Sequence, residues 1–344
     1  MRAALAVPAA RCDTQPMPRI RVHTRLFALL AAAGIALVPG LAFAHGGASP
    51  APGPSTLLTA WEFDPLFLVP FGGIAWLYYA GVRRVAAMHS ASRFPRRRVV
   101  YFALGMAVMA LALMSPLATY DGDLFAVHMW QHVLLTMVAA PLLLLGAPIT
   151  LALRAVSLRS RRRVLLPMLH SRPLKVLSFP VLAWVLFAVT MWWSHFTPLF
   201  NAALDNPWLH RMEHTWYLSA ALLFWWPVLN ADPGPWRMNH PTRLLYLFMQ
   251  MPQNAFLANA IYEAGTVRYR HYAELARTWG PSPLKDQELA GITMWVGGDL
   301  LFLVAMGFIA YGWVQHEERA ARRIDRQLAR EKAARAAATA PSEG

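Results

Sequence analysis

The sequence predicts an all-α protein, a polytopic transmembrane helical bundle with seven spans in the mature chain, its N-terminus out and its C-terminus in. Three observations predict it. Of 344 residues, 57% are hydrophobic and only 15% are charged, less charge than a water-soluble domain of this length carries. The apolar residues gather in seven long blocks. And the Arg and Lys residues concentrate in alternate connections between those blocks, 263–288 being the exception, with Arg268, Arg270, Arg277 and Lys285 set against Glu274, Asp286 and Glu288.

Residues 1–44 are expected to be a cleaved signal peptide. Arg19, Arg21 and Arg25 form its positive region and Leu26 to Val38 its apolar core. Pro39-Gly40 breaks the helix, and Ala42-Phe43-Ala44 has the small residues a signal peptidase needs. Residues 45–63, rich in Gly, Pro, Ser and Ala, form an extracytoplasmic lead-in. His45 would become the N-terminal residue, where amine and imidazole together can chelate Cu(II).

The seven blocks fall at 64–82, 99–117, 124–150, 176–195, 209–229, 243–262 and 289–314, within a membrane domain of 64–315. Most reach the ~20 residues needed to cross the hydrocarbon core. Backbone groups inside lipid must pair within their own segment, which makes these helices. Pro70, Pro141 and Pro252 are expected to kink three of them. The 83–98 connection carries six arginines, and 154–175 carries six more with Lys175. The connections 118–123 and 196–208 carry no Lys or Arg. Cations on the cytoplasmic side then give the orientation, in a bacterial inner (cytoplasmic) membrane. Residues 316–344 form a basic cytoplasmic tail whose first part prolongs the last helix. Charge placed in this way is a topology signal; it points to the lipid bilayer as partner and away from nucleic acid.

The single cysteine, Cys12, lies in the expected signal, so a metal in the mature chain would have to use His, Met, carboxylate or backbone groups. His128 and His132, in H-M-W-Q-H, lie near the outer end of the third span, and His210 and His214, in H-R-M-E-H, at the outer end of the fifth. Spacing of i, i+4 puts each pair on one helix face. His195 closes the fourth span on the same side, with Met191 one turn before it. Five histidines from three helices thus share one extracytoplasmic layer. Ionisable groups at such depth are costly and usually functional. Imidazole with thioether and no thiolate suits copper well and zinc moderately. Met129, Met191, Met212 and Met294 are candidate thioether ligands, and Glu213 is a candidate to orient a histidine. Hydrogen bonds between helices are the competing use of these histidines. Haem is the alternative cofactor, because facing helices can offer it two histidines. Trp130, Trp216 and Tyr217 would crowd such a ring. Asp299, inside the seventh span, is expected to pair with a buried polar group; Gln250, Gln253, Asn254 and Asn259 are expected to hydrogen-bond between helices. Trp192, Trp193, Trp225, Trp226 and Trp295 read as an interfacial belt. There is no nucleophile triad, phosphate-cradling glycine loop or HExxH, and the chain is not expected to be an enzyme.

Residues 128–148, H-M-W-Q-H-V-L-L-T-M-V-A-A-P-L-L-L-L-G-A-P, resemble the third-span signature of the CtaG-type (caa-type) cytochrome c oxidase assembly factors, which are polytopic membrane proteins. The resemblance continues at 193–204, 210–227 and 289–298 and covers most of 64–314. It implies a part in making active cytochrome c oxidase at the step of copper insertion, with oxidase subunits and a periplasmic copper donor as partners. It also places His128, His132, His195, His210 and His214 at the family's motif positions. A scaffold for oxidase assembly whose histidines are only structural, and a copper or solute transporter using the polar sixth span, are the other readings.

Overall fold

The computed structural model describes residues 49–89 and 91–339. The expected signal peptide, and His45, lie outside them. Among the described residues the protein is helical, with no strand. The principal helices are α1 (Pro65–Met88), α2 (Arg96–Met114), α3 (Phe125–Val133, continued by a π-helical stretch Leu134–Ala139 and by Ala140–Leu145), α4 (Pro148–Ala155), α5 (Pro180–Phe196), α6 (Leu199–Asp205), α7 (Pro207–Leu229), α8 (His240–Tyr262), α9 (Pro283–Ile292, continued by a π-helical stretch Thr293–Gly297) and α10 (Gly298–Thr339).

Their starts are written in a recurring dipeptide. A short polar residue followed by proline gives Asp64-Pro65, Asn206-Pro207 and Ser282-Pro283. In each the side-chain oxygen accepts a free backbone N–H: Leu66 N at 2.9 Å, Trp208 N at 2.9 Å, Lys285 N at 3.4 Å. Proline, already lacking its N–H, takes the first helical position. Leu124 and Ala147 cannot cap α3 and α4, and distant carboxylates do it instead. Asp286 of α9 accepts Phe125 N at 2.7 Å and Ala126 N at 3.2 Å. Asp232, between α7 and α8, accepts Ile149 N at 2.9 Å and Thr150 N at 2.7 Å.

Among the described residues, four continuous stretches are long and apolar enough to cross a membrane: Pro65–Met88, Arg96–Tyr120, Phe125–Ala155 and Pro283–Ala333. The pair α5–α6, bent by 71°, makes a fifth. The protein is therefore a multi-pass membrane protein. Its outer surface agrees, with Val69, Phe256 and Phe308 more than 60% exposed. The sequence predicts seven spans, and the difference lies in α7 and α8. Each has 23 residues, about 35 Å of helix, and so lacks nothing in length. Their composition is what sets them apart. α7 opens with His210, Arg211, Glu213 and His214, and α8 contains Arg243, Gln250, Gln253, Asn254 and Asn259. The last helix does run on past the apolar block, to Thr339.

Two cores hold α3 at the centre. On one side Tyr78 of α1 stacks on Phe102 of α2 at 3.6 Å and donates to the Gly146 carbonyl at 2.8 Å. On the other, Phe224 of α7 meets Phe187, Tyr246 and Phe302. Trp225 belongs to this second core, 1% exposed, and not to an interfacial belt. The π-helical stretch of α3 explains why. Ala140 N bonds back to the Leu135 carbonyl, one residue further than an α-helix reaches, just ahead of Pro141, which has no N–H to give. The Thr136 carbonyl is left over, and Trp225 Nε1 donates to it at 2.9 Å. Such bulges often lie at functional sites, and this one begins two residues after His132.

Candidate metal centre

α3 and α7 bring two histidine pairs face to face. His128 and His132 are buried, at 0% and 4% exposure; His210 and His214 are partly buried. The His128 ring lies 5.2 Å from His210 and 6.0 Å from His214, and the His132 ring 5.5 Å from His214. Within the pairs the ring centroids are 4.5 and 4.4 Å apart. The layer expected from the sequence is thus a contact cluster for four of its five members.

The α7 face is a single stripe. His210, Glu213, His214 and Tyr217 follow one another at i, i+3, i+4 and i+7, so all four point the same way. Glu213 Oε2 lies 4.0 Å from His128 Nε2. Tyr217 stacks on the His132 ring at 4.0 Å. The same arithmetic sends Met212 and Trp216 outward, at 64% and 51% exposure, and Trp130 is exposed as well. Of the three aromatics expected to crowd the site, only Tyr217 does so, and Met212 is not brought to it.

His128 Nε2 and His132 Nε2 are 2.7 Å apart. Around them stand six buried polar atoms without a hydrogen-bond partner among the described residues: Nδ1 of both His128 and His132, Nε2 of both His210 and His214, and both oxygens of Glu213. Leaving such an atom unsatisfied costs about 1–3 kcal/mol, and here six belong to one cluster of side chains. Ligand atoms of His128, His132 and Glu213 lie within 4.8 Å of one another, as do those of Asp121, His128 and His210. The donor set therefore fits a cation with imidazole and carboxylate ligands.

Asp121 was not singled out by the sequence. It follows α2 in the connection that carries no Lys or Arg, and its Oδ2 is 3.6 Å from His210 Nε2. Burial pushes its carboxyl well above the usual carboxylate range, and Glu62 and Asp123 add to the shift against hydrogen bonding from Gln131 and the Gly122 backbone. The signal that could have found it is an acid in the short connection 118–123, which leads directly into the helix that carries His128.

His195 keeps different company. Its Nδ1 faces the Met191 carbonyl at 2.7 Å, with Ser194 Oγ at 3.1 Å and Tyr217 OH at 3.3 Å. Its Nε2 faces Met129 Sδ at 3.5 Å. Met191 and Met294 line the same small cavity as His195, His132 and Met129. Asp299 is half-buried and accepts from Asn254 Nδ2 at 3.1 Å, the pairing expected of it. Gly298 makes room for that amide, since a Cβ there would come within 2.9 Å of it. Trp192 Nε1 donates to Gln253 Oε1 at 2.7 Å, tying α5 to α8. Gln250 departs from the expectation: it is fully buried, and neither amide atom has a partner among the described residues.

The sequence profile of the cytochrome c oxidase caa3 assembly factors matches residues 76–316. Uncharacterized proteins of Mycobacterium bovis and Mycobacterium tuberculosis are each 32% identical over 285 residues, covering 80% of this chain and 43% of their own length. One of Mycobacterium leprae is 30% identical over 275 residues, covering 78% and 41%. The chain thus spans less than half the length of the curated relatives it matches. No solved structure matches it. All four histidines of the cluster, and His195, fall inside the matched region, and the chain belongs to the cytochrome c oxidase caa3 assembly factor family.

Proposed function

We propose that the protein binds copper as cargo at His128, His132, His210 and His214, with Glu213 and Asp121 beside them, and assists its insertion into a cytochrome c oxidase subunit. The observation that carries this reading is the buried grouping of ligand atoms, those of His128, His132 and Glu213 within 4.8 Å of one another and those of Asp121, His128 and His210 likewise. Nε2 of His210 and of His214 and both oxygens of Glu213 have no hydrogen-bond partner among the described residues, and a bound cation would supply one. Direct packing of the four rings, at 4.4 to 6.0 Å between centroids, supports an ion rather than a macrocycle.

The same proposal includes a topology. Counting α7 and α8 as spans gives seven, with the N-terminus out and the C-terminus in, the orientation that the distribution of Arg and Lys favours apart from the 263–288 connection. The cluster then faces the outer side of a bacterial inner membrane, where a periplasmic donor could deliver copper and where an oxidase subunit could receive it. In the loading of an oxidase this chain acts as a carrier rather than as an enzyme.

Metal analysis of detergent-purified protein with its visible spectrum tests the reading. Wild type should retain stoichiometric copper and show no Soret band. His128→Ala with His132→Ala should lose the copper, and cells carrying that variant should lose oxidase activity with it. Equal copper in the two proteins would sink the metal assignment and leave a scaffold whose histidines are structural. A Soret band lost in the variant would replace copper by haem.

A further inference from the structure

We propose that His195 and Met129 form a second metal site, separate from the four-histidine cluster and selective for a soft monovalent cation, Cu(I) among them. The inference rests on the copper reading for the identity of the cargo but on different atoms for its geometry.

The argument begins with a proton. A backbone carbonyl can only accept, so the 2.7 Å contact of His195 Nδ1 with the Met191 carbonyl puts the ring proton on Nδ1. In the neutral ring Nε2 then carries a bare lone pair. That lone pair faces Met129 Sδ at 3.5 Å, and a thioether has no proton to offer. Two lone pairs thus confront each other in the interior, where both residues are buried, at 4% and 1% exposure. A cation between them turns this repulsion into two bonds.

The distances fit one. With metal–nitrogen and metal–sulfur bonds of about 2.0 and about 2.3 Å, the observed 3.5 Å subtends about 110° at the ion, the tetrahedral angle. The 2.7 Å between His128 Nε2 and His132 Nε2 subtends only about 85° for two bonds of about 2.0 Å. The two donor pairs therefore favour different coordination geometries. Beside His195 and Met129 lies a cavity of about 20 Å³ lined also by His132, Met191 and Met294, space for one water-sized occupant. Its lining offers imidazole and thioether beside the neutral oxygens of Thr136, Tyr217 and Asn254, with no carboxylate among the lining residues. Soft thioether ligands select Cu(I) over divalent ions that prefer nitrogen and oxygen. His132 belongs both to this cavity and to the four-histidine cluster, so the sites adjoin through one side chain.

The test uses two probes on the full chain in detergent: Cu(I) under a reducing, anaerobic buffer, and Zn(II). Wild type should bind Cu(I) with sulfur in its X-ray absorption spectrum. Met129→Leu, a volume-conserving change, should weaken Cu(I) at least tenfold and lose the sulfur scattering, while Zn(II) stoichiometry stays as in wild type. Met129→Leu with Met191→Leu and Met294→Leu removes any substitute thioether and should abolish the sulfur signal. Cu(I) held by nitrogen alone, with affinity unmoved in both variants, would overturn the second site and leave the copper reading intact. Neither Cu(I) nor Zn(II) bound by wild type would overturn both.

Discussion

Asp286 holds the start of α3 from a helix 161 residues away in sequence: its carboxylate accepts the Phe125 N–H at 2.7 Å and the Ala126 N–H at 3.2 Å. His128 begins its own helical bond one turn later, from its N–H to the Leu124 carbonyl. The cap therefore fixes the turn on which the first histidine of the cluster stands. Asp286→Ala leaves two interior N–H groups unsatisfied and should cost about 1–3 kcal/mol, read as a lower unfolding temperature in detergent. Copper retention should fall with it, and Asp286→Asn, which keeps one acceptor, should recover part of both losses.

Glu213 separates charge from shape at the cluster. Its two oxygens have no hydrogen-bond partner among the described residues, and one of them lies 4.0 Å from His128 Nε2. Glu213→Gln keeps the volume and removes the charge. Groups that support a ligand in this way are worth about 10–100-fold in metal affinity. The expected outcome is a loss of that size in copper affinity with the unfolding temperature of metal-free protein unchanged or raised. Unchanged copper affinity would remove Glu213 from the site.

What the sequence made legible was what local geometry and topology decide together. The i, i+4 spacing fixed which histidines share a face, and the alternation of Arg-rich and Arg-free connections placed both pairs at one depth. The rotation of each helix about its axis was harder to read. Met129 and Met212 both lie inside HxxxH motifs, at the second and third positions, and Met129 is buried whereas Met212 is 64% exposed. For α7 the stripe His210, Glu213, His214, Tyr217 already excluded Met212, a test the spacing allowed. Nothing local could show that Asp286 caps Phe125, that a π-helical stretch would draw Trp225 into the core, or that the Met191 carbonyl would turn His195 Nε2 toward sulfur. Those are contacts between segments, fixed only when the helices pack.

Asp121 makes stability depend on pH in a definite direction. Burial raises its carboxyl well above the ordinary 3.8. The folded state then binds its proton more tightly than the unfolded state, so this contribution is fully present below the ordinary value and is lost as pH climbs through the raised one. Asp121→Asn cannot ionise and escapes the loss. In chelator-treated protein the variant should therefore unfold at a higher temperature than wild type at about pH 8, with the gap closing toward about pH 4. Added copper should reverse the order at the higher pH if the carboxylate serves the ion bound by His210.

Gly105 sets how closely α2 approaches α3. A Cβ at this position would lie 2.9 Å from the Leu143 backbone nitrogen, closer than real Cβ contacts come, and backbone cannot swing aside as a side chain can. Gly105→Ala must separate the two helices, and overpacking of this kind costs about 1–3 kcal/mol. Gly72 supplies the control: it too is helical, but a Cβ there meets nothing within 4 Å. Gly72→Ala should be neutral or stabilising by about 0.5–1 kcal/mol through helix propensity alone. The separation also reaches the histidine cluster, because Gln131, one residue before His132, donates from Nε2 to the Ala112 carbonyl of α2 at 3.0 Å. Gly105→Ala should thus lower both the unfolding temperature and copper retention, whereas Gly72→Ala should leave copper untouched. Equal copper retention in the two variants would mean that the histidine pair on α3 keeps its place without the support of α2.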